Sequence, residues 1–565
     1  MVKGFNALWT LCAITATGAG HVMAQNVVRT HDGGLANDLF GAAVSAGGDI
    51  DDDGVPDYLV GAAEDGAIFQ EREGYLNVYS GATGSLIRTH AGSDVAERFG
   101  TAATRVGDCN PGIDDNDDYA VGAHYWTPPL GSVNGKVFLY SGADGSLLWS
   151  VAGADDEDEL GFSLDGGYDV NGDGIPDVIA GAPRSDAGAS SGGYAVVLSG
   201  ADGAELYRKD GTVGNGRLGL AVCLLGDLNP GVDTRADFAV GSMSTGVQVY
   251  SGSDGSLMYS LTGTASTDLY GASLARINDL TGDGIPELVV GASQGNFLFQ
   301  GPGYVDVRNG ATGALVYRKT GTTVGHSFGA RVARLGDYNA DGFDDFMVAS
   351  IPSDSITSTY VEVFDGLTGA LLTTISGPLA DRLGETIAGV GDTDNDGKAE
   401  FLLGAETASS AGFQSGQAVL YESPNQAQTG CTGSTSTFCN SLLNSTGFIA
   451  TLELIGSTSV ADDDFVLVSN RLPVNQLGVF YYGDGMLEAP FGNGIRCVGG
   501  SAIRRLGPVN TGPIGLAATA IDLSAMPAGP LQILGDSSWY FQYWYRDPNG
   551  GGVNFSDGLR VDFCD

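Results

Sequence analysis

At 565 residues the chain is longer than one ordinary compact core, so its length points to two domains. Its 26 Lys and Arg against 68 Asp and Glu leave a formal charge of −42, which excludes nucleic acid as a natural partner and disfavours anionic lipid surfaces. With 42% hydrophobic residues, 90 glycines and only 19 prolines, the composition excludes a disordered chain and calls for many tight turns, as in an all-β protein.

Residues 1–24 read as a signal peptide. Lys3 supplies the positive start, Leu8 to Thr17 an apolar stretch, and Val22-Met23-Ala24 a small-residue site for cleavage before Gln25. The apolar stretch is too short for a bilayer, and no second stretch of about 20 apolar residues follows. A secreted or cell-surface location with no transmembrane segment is the expectation. Cys12 lies inside the signal without a lipobox. Of the six remaining cysteines, Cys431, Cys439, Cys497 and Cys564 crowd the C-terminal end. They suggest disulfides in an oxidising compartment, with Cys431–Cys439 and Cys497–Cys564 preferred among three pairings. Cys109 and Cys223 occupy non-equivalent repeat positions and read as buried free thiols.

From residue 25 to 423 one pattern recurs seven times: an aromatic or Leu before Gly, an apolar stretch, an acid-rich loop, and an apolar stretch ending near Gly-Ala. Acidic loops begin at Asp49, Asp108, Asp169, Asp227, Asp279, Asp337 and Asp392, and the glycines at 41, 100, 161, 219, 271, 329 and 384 keep the same separations. Each repeat then carries a second hairpin, as in Val78-Tyr79-Ser-Gly-Ala-Thr-Gly-Ser-Leu86. Four short strands per repeat make one propeller blade. The seventh repeat stops at Tyr421 without its last strand, and Val27-Val-Arg-Thr-His31 matches Leu86-Ile-Arg-Thr-His90. An N-terminal strand is therefore expected to complete the last blade and close a seven-bladed ring.

The spacing Asp-x-[Asp/Asn]-x-Asp-Gly-x-x-[Asp/Glu] sets four oxygen side chains around one point, as a calcium ion with six to eight oxygen ligands requires. An EF-hand would need Glu at loop position twelve; here Val60, Ala180, Val290, Val348 and Leu403 stand there. A strand–loop–strand calcium site remains.

In these elements the chain resembles the FG-GAP repeats of the integrin α-subunit propeller and its bacterial relatives, over residues 27–421. The resemblance implies calcium ligands at Asp49, Asp51, Asp53 and Asp57, and at Asp169, Asn171, Asp173 and Asp177. It implies Asp279, Thr281, Asp283 and Glu287 in the fifth repeat, Asp337, Asn339, Asp341 and Asp345 in the sixth, and Asp392, Asp394, Asp396 and Glu400 in the seventh. Repeats two and four depart from the pattern by two extra residues. They offer Asp108, Asn110, Asp114 and Asp118, and Asp227, Asn229, Asp233 and Asp237, for a looser site or none. Five Ca²⁺ sites are well formed by motif. The resemblance also places partners on the face opposite the calcium loops, where the longer loops 64–74, 124–135, 183–193, 293–303, 351–360 and 406–416 carry Phe69, Tyr125, Trp126, Phe297, Phe299 and Phe413. Tyr125-Trp126 is the candidate contact patch, set against the plainer reading that each aromatic packs under its own loop.

His31 and His90 share a repeat position, which suggests structure, while His124 and His326 lack a nucleophile motif or metal-ligand spacing. After a linker at 424–430, residues 431–565 read as a β-rich, sandwich-like domain with disulfides. Its expected strands are Thr451–Ile455, Phe465–Val468, Val479–Tyr482, Ala518–Leu523, Leu531–Leu534 and the aromatic run Trp539–Tyr545. The whole reads as a secreted calcium-binding β-propeller for adhesion to an extracellular protein or polysaccharide, more a binder than an enzyme. The alternative is a secreted polysaccharide lyase or hydrolase built on a propeller.

Overall fold

The computed structural model describes residues 27–563, leaving aside 64–72, 94–96, 129–132, 156, 297–298, 340, 353–358, 378–380, 424–434, 440–441, 448, 456–459, 461–464, 512–516, 522, 524–531, 535–536 and 549–551. The signal peptide, the linker, Phe69, Phe297, Cys431 and Cys564 fall outside the described residues. The chain divides into two compact units, Met1–Pro424 and Asn425–Asp565.

The first unit is a seven-bladed β-propeller of four-stranded antiparallel sheets. Blade 1 runs Phe40–Gly48, Asp57–Ala62, Tyr75–Tyr79 and Leu86–Ala91 from the centre outwards. The innermost strands of successive blades touch one another in order, and Thr386–Gly391 of blade 7 touches Phe40–Gly48 of blade 1, so the ring is closed. Its seam is the one expected. Val27–Asp32 pairs antiparallel with Gln417–Tyr421, from Val27 opposite Tyr421 to Asp32 opposite Gln417, and becomes the outer strand of blade 7.

Burial follows position in the blade. The second strand is buried at all six residues in every blade, from Asp57–Ala62 to Glu400–Ala405, because neighbouring sheets cover both of its faces. That is why these segments read as continuous apolar runs rather than alternating ones. The outer strand, such as Leu86–Ala91, is partly exposed. The recurring glycines mark where blades approach most closely. A Cβ on Gly61 would fall inside the carbonyl of Gly100 in the next blade, and one on Gly404 would meet the carbonyl of Gly41 across the seam.

The second unit packs a six-stranded sheet on a three-stranded one. Leu452 and Leu467 from the small sheet share a core with Phe480, Tyr482, Phe541, Tyr543 and Tyr545 from the large one. Three sequence expectations are corrected here. Cys439 pairs with Cys497, not with Cys431, at a Cα separation of 6.1 Å. The disulfide joins Thr435–Cys439 to Gly494–Asn510, the first and last strands of the large sheet, so the sheet curls until its edges meet. Residues 532–534 are not a strand, although Ile533 is buried. Val479–Tyr482 is only the start of a long strand, Leu477–Phe491, paired with Gly494–Asn510. The curl explains the aromatic run. Trp539, Phe541, Tyr543 and Tyr545 face the main core, while Tyr540 and Trp544 pack in a second small core with Tyr481, Val498 and Phe555.

Candidate metal centres and the opposite face

In each regular loop the first aspartate organises the turn before any ion is considered. Asp49 accepts hydrogen bonds from the amides of Asp53 (3.1 Å) and Gly54 (3.0 Å), and Asp392 accepts from Asp396 (3.1 Å) and Gly397 (2.9 Å). The fifth-position acid accepts from the amide two residues on, as in Val55 to Asp53 and Ile285 to Asp283, both 2.9 Å. The intervening glycine has positive φ, +85° at Gly54, which bends the chain back over the carboxylates. Three acid groups converge in this way, with oxygens within 4.8 Å of one another: Asp49, Asp51 and Asp53; Asp279, Asp283 and Glu287; and Asp392, Asp394 and Glu400. Burial and the neighbouring carboxylates of Asp53 and Asp49 push the Asp51 carboxyl up, and burial with Asp396 does the same to Asp394. Such crowding suits a bound cation.

The ninth position has a second job. Asp57 is fully buried and accepts from the amide of Ile50 (2.7 Å) with one oxygen and from Gly81 (2.9 Å), in the Ser-Gly turn of the second hairpin, with the other. The same two-amide bridge recurs at Asp118 (Cys109, Gly142), Asp177 (Val170, Gly200), Asp237 (Leu228, Gly252) and Asp345 (Tyr338, Gly366), all at 2.8–3.0 Å. Burial pushes Asp57, Asp118, Asp177 and Asp237 up to about 6 and Asp345 to about 7. The bridge includes repeats two and four, so their changed loops keep this anchor. The sequence signal was the four-residue step ending at Asp118 and Asp237; its structural role was missed.

The two glutamates behave differently. Glu287 accepts from Leu280 N (2.6 Å) and Thr281 Oγ1 (2.9 Å), and Glu400 from Thr393 N (2.7 Å) and Thr393 Oγ1 (3.0 Å). One extra methylene carries their carboxylates into the acid clusters, and Glu400 Oε1 is buried with no hydrogen-bond partner. An orphaned buried oxygen of this kind fits a metal ligand. In the altered loops, Asn110 Nδ2 donates to Asp114 (3.1 Å), while Asn110 Oδ1, Asn229 Oδ1 and Asp233 Oδ2 are buried without partners. In repeats three and six the loop is held by Asn171 donating to Asp173 (2.9 Å) and Asn339 to Asp341 (3.2 Å).

A second set of bonds joins the blades. The same register position of the outer strand reaches the second-hairpin turn of the next blade, whose first pair is Ser-Gly, Asn-Gly or Asp-Gly: Arg29 to Gly81 O, Arg88 to Ser141 O (3.1 Å), Trp149 to Gly200 O (2.7 Å), Tyr207 to Gly252 O (2.8 Å), Tyr259 to Gly310 O and Tyr317 to Gly366 O (2.5 Å). Glycines 81, 200, 252 and 366 thus donate to a ninth-position carboxylate and accept from the neighbouring blade. His31 and His90 are equally structural. Their Nε2 atoms lie 2.7 Å from the hydroxyls of Tyr58 and Tyr119, and their rings stack on Tyr79 and Tyr140.

On the opposite face Tyr125 and Trp126 are half-buried. Arg98 lies over the Tyr125 ring at 4.7 Å and Lys136 over Trp126 at 4.9 Å, and Trp126 packs on the core between blades 1 and 2. Phe413 is 70% exposed.

A family model described as FG-GAP repeat matches residues 160–198. Integrin alpha-4 of Xenopus laevis is 34% identical over 161 residues, 26% of this chain and 14% of that protein. Integrin alpha-E of Mus musculus is 35% identical over 178 residues, 28% and 14% of the two chains, and integrin alpha-V of Gallus gallus 27% over 175 residues, 28% and 17%. The aligned stretch therefore spans about a seventh of those subunits' length. Among solved structures, a chain from the crystal structure of BBS1N in complex with ARL6DN, soaked with lead, aligns with TM-score 0.44 at 12% identity, over 71% of this chain and 97% of that one. Fold and repeats are those of a β-propeller of FG-GAP type. The chain carries an FG-GAP repeat match at residues 160–198 and is similar to integrin α subunits over about a quarter of its length.

Proposed function

We propose that this protein is an extracellular ligand-binding protein whose propeller is braced by calcium. The observation that carries the reading is the convergence of three carboxylate groups within 4.8 Å in loops at one face, in a chain whose repeats are integrin α-like. The donors are hard oxygens of the kind calcium takes. Asp49, Asp51 and Asp53 would hold one ion; Asp279, Asp283 and Glu287 a second; Asp392, Asp394 and Glu400 a third; the regular loops at Asp169 and Asp337 supply two more. The ion neutralises crowded carboxylates. The protein anchors the loop through the ninth-position acid and leaves the opposite face for a partner protein or polysaccharide. Arrays of extracellular proteins and glycans, probed with the full chain in calcium and in chelator, test this. Calcium-dependent retention of a ligand without its breakdown is expected; turnover of a bound polysaccharide overturns the reading in favour of an enzyme.

A further inference from the structure

Six of the seven blades carry a long connection between their second and third strands on the face opposite the acid loops, at 63–74, 124–135, 183–193, 293–303, 351–359 and 406–416. Blade 4 does not. There only Met243, Ser244 and Thr245 separate Asp237–Ser242 from Gly246–Tyr250. The face is therefore notched where blade 4 meets blade 3, and a hollow of about 170 Å³ lies in the notch. A single water needs about 10–15 Å³ of such space, so a ring of several heavy atoms fits.

The notch is held open by backbone bonds. Residues 211–220 carry the chain from blade 3 into blade 4 and form one rim. On the blade 3 side Asn215 N donates to Ser190 O (2.8 Å) and Leu218 N to Gly192 O (2.7 Å). On the blade 4 side Gly216 O accepts from Met243 N (2.8 Å) and Ser242 Oγ (2.7 Å). Deeper in, Tyr250 is 9% exposed and donates its hydroxyl to Gln248 Oε1 (2.9 Å). No described residue accepts from the Gln248 side-chain amide or bonds the hydroxyls of Thr212 and Thr245, which also line the hollow. Asp210 is the one charged side chain in the lining; Asp186, Arg208, Lys209 and Arg217 stand outside it. Arg208 Nε donates to Asp210 Oδ1 (2.8 Å), Lys209 donates to Gly255 O (2.6 Å), and Asp186 accepts from Ser191 N (2.6 Å).

We propose that this notch binds one neutral sugar residue of an extracellular glycan. The lining decides the class. Hydroxyls, an amide and a carboxylate offer donors and acceptors side by side, and every hydroxyl of a pyranose ring can serve as both. Val213, Leu218 and the Tyr250 ring supply apolar contact for the sugar's C–H groups. A wholly apolar ligand would strand the polar groups without partners. An anionic sugar meets Asp210 with no cation in the lining, on a chain of formal charge −42. A cationic ligand gains little, because Arg208 already pairs with Asp210. This site rests on the proposed ligand-binding role and specifies its partner as a glycan.

The test screens the full chain, in millimolar calcium, on an array of neutral, amino, uronic and sulfated oligosaccharides and of extracellular proteins, with calorimetry on the hits. Neutral oligosaccharides are the expected hits. Thr245→Trp fills the notch and abolishes their binding, and Asp210→Asn weakens it about tenfold. The Asp210 side chain is 44% exposed and Thr245 lies in a turn, so both variants keep the wild-type melting temperature. Gln248→Glu keeps an acceptor for the Tyr250 hydroxyl and turns the preference towards amino sugars, a gain that misfolding cannot imitate. Neutral-sugar binding indifferent to all three variants overturns the notch and leaves the ligand-binding role standing. Uronic or sulfated chains held in a notch-dependent way overturn the sugar class. Retention of proteins alone overturns the glycan and spares the role; retention of nothing overturns the role itself.

Discussion

Trp149 donates its indole N–H to the carbonyl of Gly200 in the next blade at 2.7 Å, and the amide of the same glycine donates to Asp177 at 3.0 Å. A side chain from one sheet and a carboxylate from another thus hold the two backbone groups of one glycine. Trp149→Phe keeps most of the packing and leaves the Gly200 carbonyl buried without its donor. We expect a loss of about 1–3 kcal/mol, read by denaturant unfolding in calcium and in chelator alike. A loss seen only in calcium would tie Trp149 to the ion and contradict this account.

Separating anchor from ligand needs two variants in one loop. Asp177→Ala removes a buried carboxylate that bridges two amides, so it destabilises the propeller by about 2–4 kcal/mol even with calcium stripped away. Asp173→Asn, at an exposed position, changes little in chelator and weakens only the calcium-dependent gain. Equal behaviour of the two would remove the distinction drawn between Asp177 and Asp173.

Calcium itself should raise the melting temperature. A site held at ten times its dissociation constant adds roughly 1.4 kcal/mol, so several together dominate the balance. Calorimetric titration of the chelated protein is expected to show about five ions from the regular motifs. Glu400→Gln should remove one of them.

Acid should weaken the blade seams through two histidines. Burial, helped by Arg29, lowers His31 to about 4, and burial with Arg88 lowers His90 to about 4, from 6.5. Asp32 pulls His31 slightly the other way. Because the folded pKa is the lower one, the unfolded chain takes up protons first as pH falls. The stabilisation is complete above about 6.5 and is lost on going down to 4. Thermal unfolding of the wild type should therefore fall more steeply across that window than that of His31→Gln/His90→Gln. Proton NMR of the imidazoles checks the two pKa values directly.

In the second unit, Cys439→Ser should lower stability by on the order of 4 kcal/mol, the loop-closure value for a separation of 58 residues. Peptide mapping without reduction should recover residues 439 and 497 in one linked fragment. A Cys431–Cys439 fragment would restore the pairing set aside above.

The propeller was legible because repetition amplifies weak signals. Phe40-Gly41, the acid loops and Gly61-Ala62 each recur with fixed spacing, and Val27–His31 could be matched to Leu86–His90 without any knowledge of contacts. Partnerships across repeats left no such trace. Trp149, Tyr207 and Tyr259 share a strand position, yet nothing local says that each reaches a backbone carbonyl about 50 residues away. Nor does Asp57 look different from Asp53 until burial separates them. In the second unit no repeat helps. Gly499-Gly500 and the arginines at 496, 504 and 505 hid a 17-residue strand, and the Cys439 partner depends on how far the sheet curls.

Since Val27–Asp32 finds its sheet only beside Gln417–Tyr421, the first strand of the propeller to be made is the last to be placed. A nascent or truncated propeller ending before Tyr421 leaves that ribbon and the rim of blade 1 both unsatisfied. They are ready to trade places with the same pieces of another copy. Production of this protein is thus a race between circularisation within one polypeptide and exchange between two.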